Sequence, residues 1–246
     1  MAEFLLYGRT EYSDVLEFTA SLRDAGEKID SDRAVAFAAT VSGEVHLLLG
    51  DLDQALVQLQ EGVDLHHRIG ANAGEALALQ RLAEVRLEQG DRVEAMRLLD
   101  EALPLARWSA LAHHLVQRIF GSMIRASDTP EESRTMVERA NRSIGASDMC
   151  MFCTVMIAVP SSIACSQVGD LDEARRHLGM AEMSAGAWQG TAWQGAVAEA
   201  KAHLANAEGN SVEAEALMAQ AADLFDRAGQ PLDVARCVTS ALLSLS

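Results

Sequence analysis

Cysteine, histidine and arginine recur in this sequence at separations that suggest chemistry. Cys150-Met151-Phe152-Cys153 has the spacing of a redox pair or of half a zinc site, and Cys165 follows on the same predicted helix. A redox pair needs a lowered thiol pKa, to which a helix N-terminus contributes, and a structural zinc needs about four ligands. Only two are in reach by sequence, so the pair is read as buried structural thiols and no metal is expected. His66-His67 and His113-His114 stand side by side. Adjacent helical residues point about 100° apart and cannot chelate as i, i+4 pairs do, so each pair should have one ring packed and one in solvent. Arg118 and Arg125, two turns apart on one predicted helix, suit a carboxylate or phosphate in an acidic chain. Pairing with neighbouring glutamates is the other use, and the sequence leaves both open. Carboxylates at i, i+3 and i+4 abound, as on any charged helix face. The sequence has no glycine-rich phosphate loop, Gly-x-Ser-x-Gly elbow or His-Glu-x-x-His helix. With no acid, base and nucleophile to assemble, the chain is expected not to be an enzyme and to carry no cofactor.

The elements that position these residues are set by a repeated turn. Gly50-Asp51-Leu52-Asp53-Gln54-Ala55 has near-copies beginning at Gly90, Gly169 and Gly209, separated by 40, 79 and 40 residues. A left-handed glycine that ends one helix, followed by Asp or Asn to cap the next, is a helix-turn-helix device. The wide gap hides one degenerate copy, Ser127-Asp128-Thr129-Pro130-Glu131-Glu132, in which proline suits a first helical turn and the acids suit its positive end.

Around each turn the residue sizes repeat. A small, a large apolar and a second small residue follow it: Ala55, Leu59, Gly62; Ala95, Leu99, Ala102; Ser133, Val137, Ala140; Ala174, Leu178, Ala181; Ala214, Met218, Ala221. Seven residues before each turn glycine stands Gly43, Ala83, Ser162 or Ala202, and Gly121 holds the matching place before the degenerate turn. Two antiparallel helices approach closely only where small side chains meet and a large one locks beside them.

This pattern resembles the tetratricopeptide repeat, whose first helix (A) carries one small residue and whose second (B) carries small, large and small. The period of about 40 exceeds the usual 34, and the proline at the repeat end is absent. Longer helices of this kind resemble the sensor regions of large bacterial, actinobacterial transcription activators, including the maltose-regulon group. The tail from Leu224 to Arg236 is similar to the closing segment of such arrays. The resemblance implies an all-α right-handed superhelix, an α-solenoid of antiparallel helix pairs, whose A helices line a concave face. Mapped onto this chain, that face includes Phe37, Thr40, Glu44 and Leu47, then Leu77, Gln80, Glu84 and Leu87, then Leu115, Arg118, Ser122 and Arg125. It continues through Met156, Val159, Ile163 and Ser166 to Ala196, Glu199, His203 and Asn206. Apolar walls with a few polar groups suit a small molecule or short peptide. The asparagine that clamps acidic chaperone tails is replaced by Glu44, Glu84, Ser122, Ile163 and His203, which disfavours such a tail.

Composition narrows the classes further. Hydrophobic residues make up 49% and aromatics 4%, which suits helices packed through small contacts better than a β-sandwich. A net charge of −16 with only 20 basic residues argues against direct nucleic-acid contact. Met1–Tyr7 lacks the basic start and apolar core of a signal peptide. The apolar run 149–168 contains Thr154, Pro160, Ser161, Ser162, Ser166 and Gln167 and reads as a buried helix rather than a membrane span. Pro160 should kink it, leaving a pocket or a gap that Met151, Met156 and Ile163 fill. Four cysteines without secretory features point to a cytoplasm.

Helices are expected at 10–25, 32–49, 51–69, 73–89, 93–106, 109–126, 130–144, 149–168, 171–185, 187–208, 212–228 and 232–245. The chain is read as one helical-repeat domain, 1–246, with clear repeats over 30–230 and a closing helix in 231–246. That last helix carries Val234, Ala235, Val238, Ala241, Leu242 and Leu245 as a stripe, to fold back on the preceding hairpin or to join a homodimer. Trp108, Trp188 and Trp193 should pack between hairpins or wall a pocket. The functional expectation is a non-catalytic region of a transcription regulator that senses a small molecule or short peptide, or a scaffold holding a partner protein.

Overall fold

Turn chemistry divides the chain into helices. The computed structural model describes residues 2–145 and 149–243, and every regular element among them is an α-helix. The chain forms two compact units. Unit 1, residues 1–119, holds α1 (Ala2–Leu6), α2 (Tyr12–Lys28), α3 (Asp32–Leu48), α4 (Leu52–Arg68), α5 (Asn72–Glu88), α6 (Arg92–Arg107) and the start of α7 (Ala112–Ala126). Unit 2, residues 120–246, holds the remainder of α7, then α8 (Pro130–Ser143), α9 (Thr154–Gln167), α10 (Leu171–Ala185), α11 (Ala192–Ala207), α12 (Ser211–Arg227) and α13 (Pro231–Leu243).

The turn recurs more often than the sequence pattern suggests. Gly50, Gly90, Gly169 and Gly209 have φ between 76° and 86°; Gly70 at 65° and Gly229 at 70° are also left-handed, with Asp30 at 51° in the same role. At each, two N–H groups reach back to the end of the helix, as Gly50 does to the Leu47 carbonyl and Asp51 to that of His46. From residue 30 to residue 90, joints within and between hairpins are therefore built alike, every 20 residues, and the same turn returns at 169, 209 and 229. The expected caps form at Asp51 and Asp91, whose carboxylates accept from Gln54 N–H (3.3 Å) and Glu94 N–H (3.1 Å). Asp170 and Asn210 make no such cap; Asp170 instead accepts from Arg134 at 2.8 Å. In the degenerate copy Thr129 caps α8, accepting from Glu132 N–H, and Pro130 takes the first helical position.

The size pattern is the packing surface. Ala55, Leu59, Ala95, Leu99, Ala102, Val137, Ala140, Ala174, Ala181 and Ala221 are buried at their predicted positions, while Leu178 keeps partial exposure. A Cβ on Gly43 would lie 2.6 Å from Leu59 Cγ, so α3 and α4 meet at a distance only glycine permits. Where serine replaces the small residue, its hydroxyl donates across the hairpin: Ser133 to the Ile124 carbonyl at 3.1 Å and Ser162 to the Ala174 carbonyl at 3.0 Å. A buried hydroxyl with its acceptor carries little of the cost it would have alone.

Three helices begin later than expected. The starts at 109, 149 and 187 move to Ala112, Thr154 and Ala192, because local polar groups hold the preceding residues as turns. Ser109 closes the first, accepting from Leu111 N–H and donating to the Ala106 carbonyl. Trp108, the C-cap of α6, is thereby left 87% exposed rather than packed. Ser184 pins the second, donating to the Met151 carbonyl at 2.5 Å and accepting from Val155 N–H at 2.9 Å. Trp188 secures it further through Nε1–H to the Phe152 carbonyl (3.0 Å) and an edge-on contact with the Phe152 ring.

Pro160 lies within a continuous α9. The helical donor to the Met156 carbonyl would be the N–H that Pro160 lacks, and that carbonyl sits 2.1 Å from where a Gly121 Cβ would be. α7 and α9 thus touch backbone to backbone. The stripe expected on α13 is corrected. Among the described side chains of α13, Cys237 is fully buried, whereas Ala235 is exposed and Val238 is 50% exposed. The side chains of Ala241 and Leu242, and all of Leu245, lie outside the described residues. No helix among the described residues is long and apolar enough to cross a membrane.

Candidate functional site: the A-helix faces of the two units

In unit 1, α3, α5 and α7 carry the predicted face. Glu44 on α3 is fully buried, and both guanidiniums that reach it bond to the same oxygen. Arg81 Nε donates to Oε2 at 2.7 Å and Arg118 Nη2 at 3.3 Å. Oε1 has no hydrogen-bond partner among the described residues. Arg81 also donates to Glu84 at 2.6 Å and, through Nη2, to the phenolic oxygen of Tyr7 at 2.8 Å. Burial opposes the charge of Arg81, but Tyr7, Glu44 and Glu84 together outweigh it and raise its pKa well above the ordinary value. Burial raises the Tyr7 phenol more than the nearby arginines lower it, so Tyr7 stays protonated well into the alkaline range. Gln80 and Leu115 are buried on this face, Leu77 is half-buried, and Phe37 is 40% exposed.

Of the predicted unit 1 residues, the structure brings together Glu44, Glu84 and Arg118. Arg118 pairs with Glu44. Arg81 and Tyr7 were missed. Arg81 carried a signal, a cation set between Leu79 and Leu82 where an apolar helix face was expected. Tyr7 carried none, because its role depends on where α1 lands.

In unit 2 the corresponding carboxylate is Glu199 on α11. Arg236 from α13 grips it with both prongs, Nε to Oε1 and Nη2 to Oε2, each at 2.8 Å, and pairs with Asp233 at 2.5 Å. Burial would raise the Glu199 carboxyl; the Arg236 charge and hydrogen bonds outweigh it, with His203 and Arg125 adding, and hold it below the usual range. His203 is lowered, by burial first and by Arg236, against the pull of Glu199. Ser122 and Val159 are buried, Met156 and Ile163 half-buried, and Arg125 is exposed. Arg236 was missed as a site residue because its neighbours had been read as an apolar stripe.

The other candidates behave as their neighbours dictate. His66 is buried, with burial lowering its pKa, while His67 stands in solvent beside Glu75, whose hydrogen bond raises it. His113 is exposed and His114 half-buried. Cys165 and Cys237 are buried thiols, pushed by burial up to about 11 and about 12, so neither is a thiolate near neutrality. Cys150 and Cys153 sit in the turn before α9 rather than inside a helix, and Cys153 is buried. Trp188 is packed as expected and Trp193 half-buried.

Helix pairs joined by repeated αL turns, with acidic and basic side chains on the faces of their A helices, define a helical-repeat domain. No protein-family model matches the chain, and no curated protein matches it. Among solved structures it is similar to a Rap protein complexed with competence and sporulation factor, with a TM-score of 0.58 at 13% identity. The match covers 85% of this chain and 63% of that one. At that identity the likeness is one of fold.

Proposed function

We propose that this chain, read as a single helical-repeat domain, is a non-catalytic partner-binding region of a bacterial transcription regulator. It takes a short peptide or small effector on the A-helix positions named above. The observation that supports this most is Tyr7. The face that carries Glu44 and Arg81 already accommodates a residue from outside the repeats: Tyr7 is buried and its hydroxyl accepts from Arg81. A face that receives a short apolar segment with one polar anchor has the chemistry of peptide recognition. The similar Rap protein was crystallised with a factor bound, which agrees with such a use of the fold. Regulation follows if the bound partner prefers one spacing of the A helices over another; without that difference in affinity nothing is transmitted.

Photo-crosslinking tests the face. A benzoylphenylalanine at Phe37, on the A-helix face, and one at Val57, 58% exposed on α4, are irradiated in the source cell. A discrete adduct at position 37 that is missing at 57 is the expected result. Adducts at both or neither would remove the assignment of the face.

A further inference from the structure

We propose that the segment Phe4–Tyr7 is a displaceable internal occupant of the unit 1 face, and that the partner which displaces it is an apolar segment carrying a tyrosine-like hydroxyl. This deepens the reading above and rests on it. The segment has the character of a ligand rather than of a repeat. Its helix is five residues long, little more than one turn, and residues 8–11 separate it from α2. So short a helix has little stability of its own. Leu6 and Tyr7 are buried while Phe4 is 49% exposed. Tyr7 contributes one hydrogen bond to a guanidinium that already serves Glu44 and Glu84.

The fit is also incomplete. Glu44 has no exposure, yet its Oε1 accepts no hydrogen bond among the described residues, although Arg81 and Arg118 both serve Oε2. A buried carboxylate oxygen without a donor is costly. The tethered segment leaves that cost standing. An incoming chain that places a hydroxyl on Arg81 and an N–H or O–H donor at Glu44 Oε1 would remove it. The cluster itself, with Glu44 and Glu84 against Arg81 and Arg118, is charge-balanced. It therefore calls for a neutral polar anchor rather than an anion, and a phenol meets that requirement.

Competition with a copy of the segment tests the idea. The probe is a fluorescein-labelled, amidated peptide of residues 3–9, titrated by anisotropy against the full chain and against its Leu6→Ala/Tyr7→Ala variant. A tethered occupant lowers the fraction of competent sites, so the probe should bind the variant roughly 10-fold or more tighter than the unmodified chain. A probe with Phe for its tyrosine should bind the variant about 10-fold more weakly, the worth of one hydrogen bond to a charged group. If circular dichroism shows the double variant unfolded, Tyr7→Phe supplies the comparison, with an expected gain of about threefold or more. Equal binding to variant and unmodified chain, or no binding to either, overturns the proposal. The crosslink at position 37 is independent of this result: if it persists while the peptide fails, the occupant falls and the face remains.

Discussion

Glu44 and Glu199 are the same residue type on A helices of the two units, and they are treated differently. Glu199 receives a two-pronged grip from Arg236, and both its oxygens are satisfied. Glu44 receives two guanidiniums on one oxygen and none on the other. The partner of Glu199 comes from α13, a thirteen-residue helix anchored by buried Cys237. The Tyr7 member of the Glu44 cluster comes from the residue that follows α1, a helix of five residues. A bidentate arginine gives geometric specificity and uses up the carboxylate; a carboxylate served on one side still has bonding capacity. The difference separates a face closed by its own chain from one that is only covered.

Substitution of the carboxylates and their partners should break this comparison most sharply. Glu44→Ala leaves two buried guanidiniums without their shared anion and is expected to cost about 4 kcal/mol in urea denaturation. Arg236→Ala strands Glu199, but the arginine is one-third exposed, so water enters and the loss should be about 2 kcal/mol. A larger loss at Arg236 would contradict the screening by water assigned to its exposed third.

Acid should act through unit 2. Burial, with Arg176 adding, lowers His177 to about 4 from an ordinary 6.5. Between these values the unfolded chain binds the proton and the folded chain does not, so stability is full above about pH 6.5 and falls as pH drops towards 4. The span corresponds to about 3 kcal/mol, an upper figure. Thermal melts at pH 7 and pH 4.5 should show a steep decline that His177→Gln flattens. Glu199 adds its own loss only below the usual carboxylate range. Next in size, Gly121→Ala places a methyl against the Met156 carbonyl and should cost about 2 kcal/mol by overpacking α7 on α9. Tyr7→Phe removes the acceptor for Arg81 and should cost about 1 kcal/mol.

Much of the architecture was legible because the repeat is written in residues with few alternatives. Glycine at a left-handed turn and alanine or glycine at a helix crossing are steric requirements, so Gly50, Gly90, Ala55 and Gly121 could be read directly. Helix starts at 149 and 187 were not legible, since the groups that hold those stretches as turns, Ser184 and Trp188, are remote in sequence or act on a remote carbonyl. The same limit applies to the site. Position within helix A pointed to Glu44, Glu84, Arg118 and Glu199, whereas Tyr7 arrives from the residues just after α1 and Arg236 from α13. Trp108 shows the converse, a residue whose type suggested packing and whose place at a helix end exposed it.

Amide hydrogen exchange, compared between residues 2–8 and residues 231–237 of the unmodified chain at neutral pH, tests the contrast most directly. The account predicts that 2–8 exchanges on the order of 100-fold faster than 231–237 while α3 and α5 beneath it stay protected, because covering segments open locally when little holds them. Exchange of 2–8 in step with α3 and α5, no faster than 231–237, would make α1 an integral part of unit 1 and contradict the distinction between the two faces.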